Sequence, residues 1–430
     1  MSDATTALTL FFILLVPFAA AGLSLINCGL IRSRSAAHSL LSALCALAIG
    51  AVVYLACGFR FAGYPGGPAY DLFVAGRSWS WIGAGSLFMQ GFALNASPGS
   101  LAVLLEMLSV GLAAMIALGA GAERWRLGAA CAATALLAGW TWPLFAHWVW
   151  GGGWLAQLGV NYGLGRGFVD AGGAGVIQAV GGMTALSIAW LLGPRRGRYA
   201  LHGMPTAIPG HNAVFVLFGC LLAWVGWIGL NCAGALLFAA VESGRVVLVA
   251  ANTTLAAASG TLAVVLITRL RFGKPDASLS ANGWVGGLVA SSAGCAFMTP
   301  IASAVTGVIA GTLVIFSVEL LELRLSVDDP AGAISVHGVG GIWGVIALGM
   351  FGHFPPGGPG DSSQWLAQLI GVATLVGFVL PMTYGLNRLL NRVVRFRVAG
   401  EGERQGLDLF ELGAGAYPDF VTHRDEFGQR

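Results

Sequence analysis

From residue 7 onward the chain alternates long apolar runs with short polar breaks, and the runs are apolar on all sides rather than along one stripe. A helix crossing the hydrocarbon core needs about 20 such residues. That length predicts eleven spans, at 7–31, 39–59, 86–121, 127–150, 168–193, 213–235, 246–270, 277–298, 300–323, 331–352 and 364–390. The third is long enough to hold a non-helical approach, with a break expected at 95–98. Only six residues precede the first run and none is basic, so it reads as a span rather than a cleavable signal.

Composition agrees. Apolar residues make up 57% and charged residues 10%, with a mean hydropathy of +0.79. Soluble domains carry about 25% charge, so this is an all-α polytopic membrane protein. The 65 glycines fit helices packed closely through small residues. A net charge of +3 from scattered basic residues argues against a nucleic-acid partner. Seven cysteines all fall in apolar stretches without CxxC or histidine at ligand spacing, so no metal is expected. No Walker loop, GxSxG elbow or HExxH appears, and neither an enzyme, a catalytic residue nor a cofactor is indicated.

An odd number of spans puts the termini on opposite sides. With the C-terminus inside, 18 of the 22 basic residues fall in inside loops and the tail, and only Arg60, Arg77, Arg166 and Arg245 lie outside. The expectation is an external N-terminus in a plasma (inner) membrane. Residues 1–390 form the membrane domain and 391–430 a polar cytoplasmic tail.

Two spans open alike. Asp170-Ala-Gly-Gly-Ala-Gly-Val-Ile-Gln178 and Asp329-Pro-Ala-Gly-Ala-Ile-Ser-Val-His337 each set an aspartate eight residues before a long polar side chain. Eight helical residues rise about 12 Å, so Gln178 and His337 are expected near the midplane, with each aspartate capping its helix. These are the fifth and tenth spans, which enter from opposite sides. That is the pattern of an inverted repeat with a site between its halves; two capped helices with one satisfied polar pair would give the same spacing.

Further motifs carry a resemblance. Ala146-His-Trp-Val-Trp-Gly-Gly-Gly-Trp-Leu155, Ala122-Glu-Arg124, Gly226-Trp-Ile-Gly-Leu-Asn231, Asp328-Asp-Pro330, Val336-His-Gly-Val-Gly-Gly341, Gly406-Leu-Asp408 and Ala416-Tyr417 together resemble the ammonium transporter/methylammonium permease/Rh family over nearly the whole chain. The resemblance implies two inverted five-helix halves plus a long last helix, a homotrimer in the bilayer, and a pore in each subunit. It implies that Trp150 faces a recruited cation by cation–π attraction, that Asp170 supports that site, and that His337 is one of two pore histidines. Trp227 and Asn231 match positions suited to packing and helix hydrogen bonding.

The pore departs from the family. Gln178 stands for the first histidine, Ser109 and Leu230 for two stacked phenylalanines, Gly234 for a serine that binds the cation, Glu106 for a glutamine and Asn27 for a tyrosine. The loop before Asp170 is lengthened at 161–167, and Leu412-Gly-Ala414 replaces the usual tail motif. An amide does not titrate, so a two-imidazole proton relay is lost. A wider, wetter outer passage reaching Gln178 and His337, closed by no aromatic pair, is expected. Three functions remain open: a channel or transporter for ammonium or a small amine, a facilitator for a larger or neutral solute, and a non-conducting ammonium sensor. A cytosolic regulator of the tail is a candidate partner.

Overall fold

The computed structural model describes residues 1–199, 204–354 and 363–417. Ten helices among them are long and apolar enough to cross a membrane: α1 (Asp3–Gly29), α2 (Ser33–Ala62), α3 (Pro98–Gly121), α4 (Leu127–Val149), α5 (Ala174–Leu192), α6 (Ala213–Leu237), α7 (Ser243–Phe272), α9 (Pro300–Leu323), α10 (Ile334–Phe351) and α11 (Gln364–Val393). The eleventh, α8 (Ala277–Gly294), is rich in glycine, alanine and serine, and its last fifteen residues are nearly all buried. It packs inside the bundle, so it needs no lipid-facing hydrocarbon.

The third helix starts later than the apolar run suggests. Ser97 caps it by accepting from the Ser100 N–H, and Asn95 Oδ1 accepts from the Ser97 N–H at 2.9 Å, so residues 86–97 are an irregular approach. Between α2 and α3 an antiparallel hairpin, β1 (Ala69–Val74) and β2 (Arg77–Gly83), replaces loop. Its two-residue turn places Ala75 and Gly76 at φ +54° and +76°, the geometry that matches strand twist.

Small residues set the packing. A Cβ on Gly22 would meet the Gly219 carbonyl at 2.5 Å, and one on Gly226 would meet the Ala19 nitrogen at 2.0 Å, so α1 and α6 run antiparallel with backbones in contact. The same device presses α5 onto α10. A Cβ on Gly182 would lie 2.2 Å from the Gly338 nitrogen, and one on Gly341 2.5 Å from the Ala174 carbonyl. The two helices of the sequence repeat therefore cross antiparallel at the centre of the bundle.

After α11 the chain folds back over one end. Arg126 N–H bonds the Phe396 carbonyl and Val398 N–H the Arg124 carbonyl; the Asp408 carboxylate then caps α2 at the Ala37 and His38 N–H groups, 3.1 and 2.7 Å away. This is the tail end of the bundle; the opposite end carries the hairpin.

Candidate functional site

Both central helices are broken where their polar side chains stand. A π-turn occupies Ala174–Ala179 and another Ile334–Val339. Such turns free backbone groups and often mark functional positions. The aspartates ahead of them are caps. Asp170 accepts four backbone N–H groups, from Gly173, Ala174, Gly175 and Val176, at 2.7–3.0 Å. Asp329 accepts two, from Ala333 and Ile334, at 3.0 and 2.7 Å. All four Asp170 bonds go to backbone N–H groups at the start of its own helix.

At the crossing, Gln178 Oε1 lies 2.7 Å from His337 Nδ1. A carbonyl oxygen only accepts, so Nδ1 carries the hydrogen and Nε2 presents a lone pair. Gln178 Nε2 is buried with no partner among the described residues. The Trp227 ring lies 6.4 Å from the imidazole and its Nε1 donates to Ser292 Oγ. On the tail side, His337 borders a cavity of about 10 Å³, lined also by Asn27 and Asn282. That is room for one water.

On the hairpin side a cavity of about 210 Å³ is walled by Trp150, Arg166, Phe168, Asp170, Phe238 and Phe297. Asp170 holds Trp150 through its main chain, since Trp150 Nε1 donates to the Asp170 carbonyl at 2.7 Å. Phe238 lies flat on Trp150, 4.2 Å between centroids and 5° between planes. One indole face is thus covered by a ring. The Arg166 guanidinium, set over the Phe354 ring at 5.3 Å, brings a positive charge to the same cavity.

The expected open passage is not seen among the described residues. Ser109, Leu230 and Gln178 have no exposed surface. The neck is closed by close packing around these smaller side chains, and Ser109 Oγ turns back to donate to the Leu105 carbonyl at 2.7 Å. An aromatic pair does sit here, but it is Trp150 with Phe238. The wider passage expected with the loss of the two phenylalanines is therefore not seen among the described residues.

Packing also explains Gly234. A Cβ there would lie 2.1 Å from the Ala171 carbonyl, so a serine does not fit without movement. Asn231 bridges helices instead of facing the cavity, donating to Thr253 Oγ1 at 2.9 Å and Ser291 Oγ at 3.3 Å. Glu106 is buried in α3 and accepts the Tyr54 hydroxyl at 2.6 Å.

Sequence reading missed Phe238 and Arg166. Phe238 was findable, because it follows Gly234 by one helical turn and so shares its face. Arg166 lies in the 161–167 insertion, which α11 pins: Gln364 Oε1 accepts the Arg166 N–H and Gln368 Oε1 the Val169 N–H, both at 2.9 Å.

At the tail end a buried ion network fixes where α10 begins. Arg195 grips the Asp328 carboxylate through Nε at 2.8 Å and Nη2 at 3.0 Å, and reaches Glu123 at 2.6 Å. Arg32 closes the network on Glu123, and Arg124 Nη2 donates to the Asp328 carbonyl at 2.8 Å. Burial raises the Asp328 carboxyl, but the Arg195 hydrogen bonds and the Arg124 and Arg195 charges outweigh it and hold its pKa down at about 2.

Residues 7–417 match the family model for the Ammonium Transporter Family. The chain is 36% identical to the ammonium transporter Amt2 of Archaeoglobus fulgidus, covering 96% of this chain and 88% of that protein. It is 31% identical to the ammonium transporter of Bacillus subtilis, over 97% and 100%. Among solved structures it is similar to one described as Sensor Amt Protein, with a TM-score of 0.84, 28% identity and coverage of 94% and 97%. Mep2 of Candida albicans shares the fold, with a TM-score of 0.80 at 23% identity over 98% and 92%.

Proposed function

The chain belongs to the ammonium transporter family, and from that premise we propose that it recognises ammonium or a related small amine and conducts it across a membrane. The observation that carries this reading is the Gln178–His337 pair at the antiparallel crossing of α5 and α10, beneath the cavity walled by Trp150. In this reading the cation is drawn to the indole that Asp170 positions, loses its water among the aromatic walls, breaks one N–H bond to return that proton to the water on the hairpin side, and passes the pair as the neutral amine. Neutral amine suits the site: an unpaired cation at that depth is expensive, whereas Nε2 of His337 offers a lone pair to an N–H donor. Ser109 and Leu230 stand at the closed neck between the two, Glu106 lies beside it, and Gly234, Trp227 and Asn231 hold its walls. No residue acts catalytically.

The same reading places the hairpin and N-terminus outside a plasma (inner) membrane, the tail in the cytoplasm, and the protein in a homotrimer. Reporter fusions at Met1 and Arg430 landing on one side would reject the topology, and native mass spectrometry showing only monomer the assembly.

A second reading, a non-conducting ammonium sensor, is favoured by the Phe238 ring on Trp150 and the buried neck. The similar structure described as Sensor Amt Protein points the same way. Proteoliposomes separate the two. Saturable uptake of ammonium and methylammonium, lost in His337→Ala, supports conduction; binding without uptake supports sensing; neither would overturn the amine assignment.

A further inference from the structure

Away from the helix ends, Glu106 is the only acidic residue in the eleven spans. It stands eight residues into α3, about 12 Å along its axis, and has no exposed surface. Tyr54 donates to its Oε2 at 2.6 Å, while Oε1 is buried and meets no donor among the described residues. A carboxylate oxygen left so in a membrane interior is strongly unfavourable. It calls for a proton or a cation.

Aromatic surface leads to it from the hairpin-side cavity. The Trp142 ring lies edge-on to Trp150 at 6.2 Å and edge-on to Tyr54 at 6.3 Å. Trp142 is fully buried, and its Nε1 has no acceptor among the described residues. Both rings stand at interruptions of their helices: Tyr54 opens the π-turn Tyr54–Gly58 in α2, and Trp142 directly follows the π-turn Leu137–Thr141 in α4. Glu106 and Trp142, each with one unmet polar atom, thus both neighbour Tyr54 between α2, α3 and α4.

We propose that Glu106, Tyr54 and Trp142 form an intramembrane site for one small ammonium-type cation, beside the route from Trp150 to the Gln178–His337 pair. The proposal rests on the amine reading above and deepens it. A carboxylate supplies the full charge that a desolvated cation needs, and the ring faces add cation–π attraction. Without the cation, Glu106 is the neutral acid. On entry its O–H bond breaks, the proton leaves to solvent, and the carboxylate balances the bound charge. The site thus supplies the titratable group that Gln178 does not.

Infrared difference spectra of the purified protein, titrated with methylammonium chloride and with sodium chloride as control, test this. Methylammonium is expected to remove a protonated-carboxyl band that Glu106→Gln lacks, and Glu106→Gln to weaken methylammonium binding at least about tenfold. Tyr54→Phe keeps the carboxylate and is expected to weaken binding by less, which covers a failure of Glu106→Gln to fold. If wild type and Glu106→Gln bind methylammonium equally while Trp150→Ala does not bind, the cation stops in the outer cavity: this site falls and the amine reading stands. If wild type binds no methylammonium, the amine reading falls with it.

Discussion

Phe238 lies parallel to Trp150 at 4.2 Å, on the indole that the proposed function makes the cation receptor. A ring in that place competes with a cation for the same π-face.

Phe238→Ala should therefore tighten methylammonium binding. A cation–π contact contributes about 0.5–2 kcal/mol, equivalent to roughly 2- to 30-fold in affinity. Tryptophan fluorescence titration measures it. An unchanged or weaker affinity would show that the stack belongs to the receptor rather than competing with it.

Asp170→Ala removes the acceptor of four buried N–H groups at once. Loss of a cap costs about 1 kcal/mol and each stranded buried donor about 1–3 kcal/mol, so the variant should lose much of its thermal stability in detergent. Asp170→Asn retains one acceptor oxygen and should fall between. A variant with wild-type melting and no amine binding would instead make the carboxylate a direct ligand.

Gln178→His gives the crossing two imidazoles. If the amide is what blocks a proton relay, ammonium-driven currents on solid-supported membranes should rise in this variant and should depend on pH. Robust proton-coupled currents in the unmodified protein would mean that the relay does not need a second imidazole.

The Asp328 network sets an acid limit on stability. Its folded pKa, about 2, lies below that of an unfolded aspartate, about 3.9. The stabilisation, about 2–3 kcal/mol, is therefore complete above about pH 4 and lost as pH falls towards 2. Glu411 works in the same sense: burial raises its carboxyl, but the His38 hydrogen bond and the Leu127 N–H outweigh it and hold it low. Asp328→Asn should lower the melting temperature at pH 7 and flatten its decline in acid; a decline as steep as wild type's would place the acid sensitivity elsewhere.

Much of this architecture was legible along the chain, because lipid makes span length and apolarity a direct constraint. The eleven helices follow from the lengths of the apolar runs, the two capped openings at Asp170 and Asp329 from the eight-residue spacing, and the meeting of Gln178 with His337 from the inverted repeat that the spacing and the family resemblance imply. The late start of α3 at Pro98 was not, since apolar residues 86–97 serve an irregular approach as readily as a helix. Nor was the closed neck. A small side chain at Ser109 or Gly234 reads as empty space in a sequence, but helices move in until a carbonyl such as that of Ala171 fills it. Local propensity also says nothing of which distant rings meet. Phe238 on Trp150, and Tyr54 between Glu106 and Trp142, are contacts between helices, decided by how glycine-to-backbone packing rotates and seats each one.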